Sequence, residues 1–177
     1  KIGSASTYFK AVRSYIVELR LDRQAYRIRE NMSIDFQITN IGFVPWSSSI
    51  NISIPVFGFE DSKYVSLNPN KTEKIDYNLS IPETTPAGKH DVIVTIGLDR
   101  PLEYYFVIPD SNVFLGSDRS SYDVGEDLSI NLTNTGGVDA VGTLTYRLCD
   151  WRWAQVDEQD TNIKVRAGES AAVEFEL

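Results

Sequence analysis

Apolar and polar residues alternate along most of the chain. In the segment 32–39 the apolar positions are Met32, Ile34, Phe36 and Ile38, and every residue between them is polar. Successive side chains of a β-strand point to opposite faces of the sheet, so this pattern predicts a strand with one buried face and places Phe36 in the core. The same alternation predicts further strands at 15–22, 50–54, 74–81, 91–98 and 103–108.

Turn-forming residues separate the predicted strands. Asn40-Ile41-Gly42, Asn68-Pro69-Asn70 and Pro86-Ala87-Gly88 each contain residues that favour tight turns. No stretch shows the spacing of apolar residues that an amphipathic helix requires. Short strands separated in this way are typical of antiparallel β-sandwiches, so we predict an all-β fold with almost no helix.

The second half of the chain repeats the first. The matching segments are Asp22-Arg23-Gln24-Ala25-Tyr26 and Asp118-Arg119-Ser120-Ser121-Tyr122, Glu30-Asn31-Met32-Ser33-Ile34 and Glu126-Asp127-Leu128-Ser129-Ile130, and Thr39-Asn40-Ile41-Gly42 and Thr133-Asn134-Thr135-Gly136. The second copy is shorter by two residues before the last of these motifs, and such a change keeps the same side chains on the core face. The repeat predicts two tandem β-sandwiches, at 15–109 and 110–177, after a linker or preceding segment at 1–14.

The second copy is also shorter at its end. In the first copy two more strands follow 74–81, whereas the matching segment 170–177 is the last one. We therefore predict an incomplete second sandwich with a free strand edge that is able to self-associate. We expect another polypeptide to cover its apolar face, which carries Leu128, Ile130, Leu132, Val173, Phe175 and Leu177. The apolar stretch 8–12 is a candidate for a strand donated to an incomplete sandwich in another chain.

The turn motifs resemble those of a known group of surface-protein modules. In that group an alternating strand ends in Asn-x-Gly, and a Pro-Ala-Gly turn leads into a final hairpin. The first copy has Asn40-Ile41-Gly42 and Pro86-Ala87-Gly88, and the second has Asn134-Thr135-Gly136 and Arg166-Ala167-Gly168. The chain thus resembles the cell-adhesion-related (CARDB) domains of bacteria and archaea and their relatives, the APHP-type and alpha-galactosidase-associated sandwiches. The resemblance implies immunoglobulin-like sandwiches in a secreted or surface-anchored multidomain protein, and it supplies no catalytic residues.

Charge and residue content argue against several classes of function. The net charge of −8 and the isoelectric point near 4.7 argue against nucleic-acid binding, which requires a basic surface. No apolar run is long enough to cross a bilayer, so we predict no membrane insertion by this segment. Cys149 and His90 are the only residues of their types, which removes the usual nucleophile and metal constellations. We predict that the chain is not an enzyme and holds no cofactor.

Asn-x-Ser/Thr sequons are frequent in this sequence. Strand alternation alone enriches them, because residues i and i+2 share the exposed face of a strand. A sequon on an exposed face or in a turn is nevertheless able to accept a glycan in a host with that machinery. The five candidate glycosylation sites are Asn31, Asn51, Asn70, Asn78 and Asn131.

The densest unusual cluster is Asp150-Trp151-Arg152-Trp153. Within a strand Trp151 and Trp153 share a face, and the favoured interpretation is that both rings pack in the second core. The alternative is an aromatic platform for a sugar or a protein partner. The carboxylates that follow are weak candidates for Ca²⁺ ligands, since they lack the spacing of a defined calcium loop; they are Asp157, Glu158 and Asp160.

Two functions agree with these features. The first is a non-catalytic structural or adhesion segment of a secreted or cell-surface protein, acting as a spacer or interaction module. The second is an accessory, non-catalytic region of a secreted carbohydrate- or protein-degrading enzyme, with sugar binding at Trp151 and Trp153. The expected partners are neighbouring domains of a longer parent chain and a surface protein or glycan.

Overall fold

The computed structural model describes residues 14–123 and 125–176. The predicted donor strand at 8–12, most of the predicted linker and the predicted core residue Leu177 lie outside the described residues. Within the described ranges, regular structure consists of antiparallel β-strands and a 3-10 turn at Pro55–Phe57. The prediction of an all-β fold is therefore confirmed.

Seven strands of residues 14–108, which we call the first module, form two facing sheets. The strands are β1 (Tyr15–Leu21), β2 (Asn31–Asn40), β3 (Trp46–Ile54), β4 (Phe59–Leu67), β5 (Thr72–Ser80), β6 (Gly88–Ile96) and β7 (Leu102–Ile108). One sheet has the order β1-β2-β5 and the other the order β4-β3-β6-β7. Strand β4 was missed in the sequence. It is an edge strand whose buried residues are confined to Val65 and Leu67, so its apolar alternation is too short to predict it.

The core of the first module lies between these two sheets. Phe36 has no exposed area, which confirms the predicted register of β2. The opposite sheet meets it with the inward side chains of β3, β6 and β7, and nearly all of these are β-branched or aromatic residues that favour strands. The residues that it contributes are Ile50, Ile52, Ile54, Val92, Val94, Ile96, Phe106 and Ile108.

Residues 113–176, which we call the second module, contain five strands. These are β8 (Val113–Ser117), β9 (Asp127–Asn134), β10 (Ala140–Cys149), β11 (Gln155–Val165) and β12 (Ser170–Glu176). The sheets are β12-β9-β8 and β10-β11, so the pairing repeats that of β1 to β5 strand for strand. In the described part of this module no strand corresponds to β6 or β7.

Replacing Phe36 by Ala should lower the free energy of unfolding by about 3–5 kcal/mol, because the change removes a fully buried ring from the core. The matched control is Phe43→Ala, which removes an almost fully exposed ring in the same module and should cost about 0.5 kcal/mol or less. Denaturant unfolding followed by fluorescence measures both changes. A loss at Phe36 no larger than that at Phe43 would contradict the assigned register.

Candidate interaction sites

The first module holds a buried asparagine at the end of β2. Asn40 has no exposed area, and its side-chain amide donates to the carbonyls of Val44 and Leu67 at 2.9 Å each. Its Oδ1 accepts the backbone N–H of Gly42 at 2.9 Å. Because Leu67 belongs to the opposite sheet, one side chain both ties the sheets together and shapes the β2–β3 loop.

The second module repeats this arrangement. Asn134 is fully buried and donates to the carbonyls of Val138 and Val165 at 2.9 and 3.1 Å. Its Oδ1 accepts the N–H of Gly136 at 3.0 Å, and a Cβ at Gly136 would lie 2.1 Å from a backbone oxygen. The Asn-x-Gly motif of the sequence thus reflects a fully bonded, buried asparagine, followed in the second module by a position that admits only glycine.

A second repeated feature precedes β2. In the first module Tyr26 donates to Asp22 at 2.8 Å, and the guanidinium of Arg23 lies 4.8 Å from the ring centroid and 3.1 Å from Glu30. Burial, reinforced by the hydrogen bond to Asp22, raises the pKa of Tyr26 to about 12. The ring makes an edge contact with Phe106 of β7 and has almost no exposed area.

The corresponding tyrosine of the second module keeps the bonds but not the burial. Tyr122 donates to Asp118, and Arg119 lies over its ring and pairs with Glu126, as in the first module. The ring is half-exposed, because no strand of the described residues takes the place of β7 beside it.

One side of the second module is open. Strand β3 pairs with both β4 and β6, whereas β10 pairs only with β11 among the residues that the structure describes and has a free edge there. Leu115 of β8 is 61% exposed, although its counterpart Val17 packs against the first core. We call this region, the free edge of β10 with the inward side chains of Leu115 and Tyr122, the open side.

The other end of the same face is closed from within the chain. Phe175 is almost fully buried, and its ring stacks on Tyr146 of β10 at 5.2 Å between centroids. Leu128 and Leu132 of β9 are buried as well. For these three residues the prediction that another polypeptide covers the apolar face is wrong, because the β10–β11 hairpin already covers this half of the sheet. Ile130 and Val173 are partly exposed, and for them it stays a prediction.

A charged cluster joins the two modules. The guanidinium of Arg29 donates to both carboxylate oxygens of Asp139 at 2.8 Å each and to Glu83 at 2.9 Å. Asp139 also accepts the N–H of Ala167 at 3.1 Å and is largely buried. The hydrogen bond from Arg29 holds the pKa of Asp139 well below its usual range. A bidentate pair of this kind fixes orientation as well as distance.

Backbone contacts complete this junction. The N–H of Ile28 donates to the carbonyl of Gly137 at 2.9 Å, and the N–H of Gly137 donates to Pro109 at 3.0 Å. A Cβ at Gly137 would lie 2.7 Å from Pro109, so only glycine permits the approach. Val138 then packs against the core of the first module.

Sequence reasoning missed the junction. Both residues of its ion pair depart from the repeat: the counterpart of Arg29 is Gly125, and the counterpart of Asp139 is Pro45. Arg29 has a φ of 69° and Gly125 a φ of 87°, so the backbone is kept while the side chain differs. These two charges, each present in one copy of the repeat and absent from the other, were the sequence feature that could have indicated a contact between the modules.

The structure places Trp151 and Trp153 in the turn between β10 and β11. Asp150 accepts the N–H groups of Arg152 and Ala154 at 2.8 and 2.9 Å and thereby holds the turn. Trp151 is 81% exposed and Trp153 is 87% exposed. The interpretation that both rings pack in the core is wrong, because these residues form a turn rather than a strand.

The weak calcium candidates on β11 are engaged with other side chains or lie apart. Glu158 pairs with Arg147 at 2.7 Å, and Asp157 accepts a hydrogen bond from Gln159 at 2.9 Å. Asp157 and Asp160 point to opposite faces of the strand, since their positions differ by three and side chains alternate along a strand. Among the residues that the structure describes, no group of three or more His, Cys, Asp or Glu side chains is placed to hold a metal ion.

The five sequon asparagines are all exposed. Four lie on outward faces of strands, and Asn70 lies in the β4–β5 turn with a φ of 60°. The placement agrees with the predicted polar faces, and glycosylation at these positions stays a prediction. The other four are Asn31, Asn51, Asn78 and Asn131. No helix in the described ranges is long and apolar enough to span a membrane.

No protein-family model and no curated protein sequence matches this chain. A β-glucosidase from Erythrobacter marinus is similar at 11% identity and a TM-score of 0.44, over 53% of this chain and 15% of its own. A trypsin-activated alpha-2-macroglobulin from Escherichia coli is similar at 11% identity and a TM-score of 0.34, over 92% of this chain and 13% of its own. The sporulation control protein Spo0M from Bacillus subtilis is similar at 9% identity and a TM-score of 0.41, over 93% of this chain and 91% of its own. At these TM-scores the likenesses bear on neither family nor function, and the chain spans a small share of the first two proteins.

The free edge of β10 should be visible in amide hydrogen exchange. Residues 50–53 of β3 have strand neighbours on both sides, whereas their counterparts 144–147 have one within the described part of the chain. We expect alternate amides of 144–147 to exchange much faster than any amide of 50–53, since those pointing away from β11 face water. Residue-resolved exchange at low protein concentration measures this difference. Equal protection of the two segments would contradict the open edge.

Proposed function

We propose that this chain is a non-catalytic spacer and interaction segment of a secreted or cell-surface protein. The junction is the observation that carries the proposal. Two packed sandwiches meet through a bidentate ion pair, a backbone hydrogen bond and the partly buried side chain of Val138. Contacts of these three kinds hold one relative orientation, which is what a spacer requires.

Three further features support this assignment. The sheet orders β1-β2-β5 and β4-β3-β6-β7 suit an immunoglobulin-like sandwich of the CARDB kind, although this finer assignment is part of the proposal. The net charge of −8 favours solubility over binding to nucleic acid. Five exposed sequons suit a surface that faces the outside of a cell.

The Asp139→Asn variant should loosen the junction, because the neutral amide cannot accept two charge-assisted bonds from Arg29. We expect residual dipolar couplings to report one alignment for both modules of the wild type and two different alignments in the variant. The charge-matched control is Asp91→Asn, an exposed position on β6 that should leave the couplings unchanged. A variant that keeps the wild-type alignment would refute the role assigned to Asp139.

Acid should act through the same carboxylate. Its folded-state pKa lies below the ordinary value of 3.8, so its contribution is present above that pH and is lost as the pH falls toward the folded-state pKa. In the wild type we therefore expect the junction to weaken progressively below about pH 4 and the modules to reorient as the pH approaches the folded-state pKa. Asp139→Asn should show no such step, and a step of equal size in this variant would assign the acid effect to other carboxylates.

A second candidate function rests on the exposure of Trp151 and Trp153. Two exposed rings on one turn are able to stack on sugars, as in an accessory region of a carbohydrate-degrading enzyme. If so, soluble polysaccharide should quench tryptophan fluorescence and retard the chain in affinity electrophoresis, and Trp151→Ala with Trp153→Ala should abolish both effects. Trp46→Phe, at a half-buried ring in the first module, is the control. Retardation that survives loss of both rings would reject this site.

A further inference from the structure

Two of the five sequon asparagines have no structural reason to be asparagine. Asn51 lies in the middle of β3 and Asn131 lies inside β9, and both side chains are exposed. Asparagine is disfavoured in strands, because its amide competes with the backbone for hydrogen bonds. Neither amide has a hydrogen-bond partner among the residues that the structure describes. The Asn-x-Ser/Thr motif is what remains to explain both residues.

The other three sequons differ from these two. Asn70 lies in a turn with a φ of 60°, and this left-handed conformation itself favours asparagine. Asn31 pairs with Ser80, and Asn78 pairs with Ser33, so the two asparagines are diagonal neighbours on one face of β2 and β5. Glycans on both would compete for the same space, since diagonal neighbours on a sheet are within reach of each other.

Small hydroxyl side chains surround Asn51 on the outer face of its sheet. Asn51 pairs with Ser62 of β4 and with Thr95 of β6. Along β3 its neighbours on the same face are Ser49 and Ser53, and Ser53 is also the hydroxyl residue of the sequon. A sugar attached to Asn51 would therefore meet no long side chain at these four positions.

The neighbours of Asn131 are smaller still. Asn131 pairs with Gly116 of β8 and with Ala172 of β12. Glycine inside a strand lowers stability, and neither packing nor backbone conformation requires one at this position. A Cβ at Gly116 would have nothing within 4 Å, and the φ of Gly116 is not positive. What the glycine provides is open space beside the sequon.

In the first module the same row of the sheet has large charged side chains on either side. It consists of Glu18, Gln37 and Lys74. Gln37 occupies the place of Asn131, since each lies three residues before the buried asparagine of its module. The Gln37 amide is half-buried and donates to Asp35 at 3.2 Å. The row is therefore filled where the sequon is absent and cleared where it is present.

The sheet of Asn51 shows the same contrast in the opposite direction. In the second module Thr145 takes the place of Asn51, with Asp160 opposite it on β11. Arg147 stands where a sequon needs Ser or Thr, and it pairs with Glu158 at 2.7 Å. Each module thus has small neighbours around one sequon, and charged side chains flank the equivalent position of the other module.

We propose that Asn51 and Asn131 are N-glycosylation sites, with one glycan on an outer sheet face of each module. Their small neighbours leave room for the first sugar to lie on the sheet. This proposal rests on the extracellular location that is part of the proposed function, since sequon glycosylation is a modification of exported proteins.

The modification joins the amide nitrogen of each asparagine to the anomeric carbon of a sugar. The donor is a glycosyl diphosphate, which the host supplies together with the transferase. As the C–N bond forms, the bond between the anomeric carbon and the diphosphate oxygen breaks. The diphosphate leaves with the electron pair, and a base of the transferase takes the amide proton. The chain contributes the amide and the sequon hydroxyl, which belongs to Ser53 or Thr133.

Secretion of the chain from a host with N-glycosylation machinery tests the two sites. Peptide mapping by mass spectrometry should find Asn51 and Asn131 occupied in nearly all secreted molecules. Asn51→Gln and Asn131→Gln should each lower the apparent mass on a gel by one glycan. The control Asn162→Gln removes an exposed strand asparagine that has no hydroxyl residue two positions later, and it should leave the apparent mass unchanged.

Exchanging the rows tests the role of the neighbours. Gly116→Glu with Ala172→Lys places around Asn131 the side chains that flank Gln37. The other sequon asparagines are replaced by Gln, and the reference is the same protein made in a host without the machinery. The glycan should lower the thermal unfolding midpoint of the exchanged variant, because it restricts two long side chains that were free. With the native row it should leave the midpoint unchanged or raise it.

The reverse exchange in the first module is the matched control. Gln37→Asn creates a sequon with Thr39, flanked by Glu18 and Lys74. Its glycan should lower the midpoint relative to the unglycosylated protein. Adding Glu18→Gly and Lys74→Ala should remove that loss.

The proposal is overturned if Asn51 and Asn131 stay unmodified in the secreted protein, or if neither exchange of neighbours alters the effect of the glycan on the midpoint. Either result leaves the spacer role intact, because that role is tested at Arg29 and Asp139. Conversely, two different alignments in the wild type would remove the spacer role and leave these sites standing.

Discussion

The side chain of Asn40 has no contact with water, yet both its N–H groups and its oxygen are hydrogen-bonded. Replacing it would leave buried carbonyls without donors, which is more costly than losing a bond at the surface. The rest of the module depends on this amide, because it holds β2 to β4 across the core and fixes the path of the next loop. Asn134 imposes the same constraint on the second module.

A loop whose backbone is fixed in this way is free to vary in its side chains. In the first module the positions after the asparagine carry Phe43, Val44 and Pro45, whereas the second carries Gly137, Val138 and Asp139. The glycine permits close approach and the carboxylate meets Arg29, so the second loop becomes an internal docking element. The junction thus arises from different side chains on a loop whose backbone both modules share.

The sequence predicted the features that depend on the local alternation of apolar and polar residues. Alternation located β2 and the burial of Phe36, and the repeat located β9 and β12 as the counterparts of β2 and β5. It failed where the outcome depends on distant neighbours. Nothing local distinguishes a strand from a turn at Trp151, and nothing near Phe175 shows that Tyr146 lies over its ring. Strand β4 was missed because an edge strand needs few apolar residues.

The paired tyrosines separate local from distant effects within the molecule itself. Tyr26 and Tyr122 have the same hydrogen bond to aspartate and the same arginine over the ring, so this network forms without help from β7. Two things differ: Phe106 of β7 buries the ring of Tyr26, and Val107 of β7 exchanges backbone hydrogen bonds with Gln24 and Tyr26. The open side of the second module therefore costs buried apolar contact and these backbone bonds, while the side-chain network is kept. The hydrogen bonds around Tyr122 are kept, but fewer apolar contacts connect the strands of the second module. We therefore expect the free energy of local unfolding to be lower in the second module than in the first.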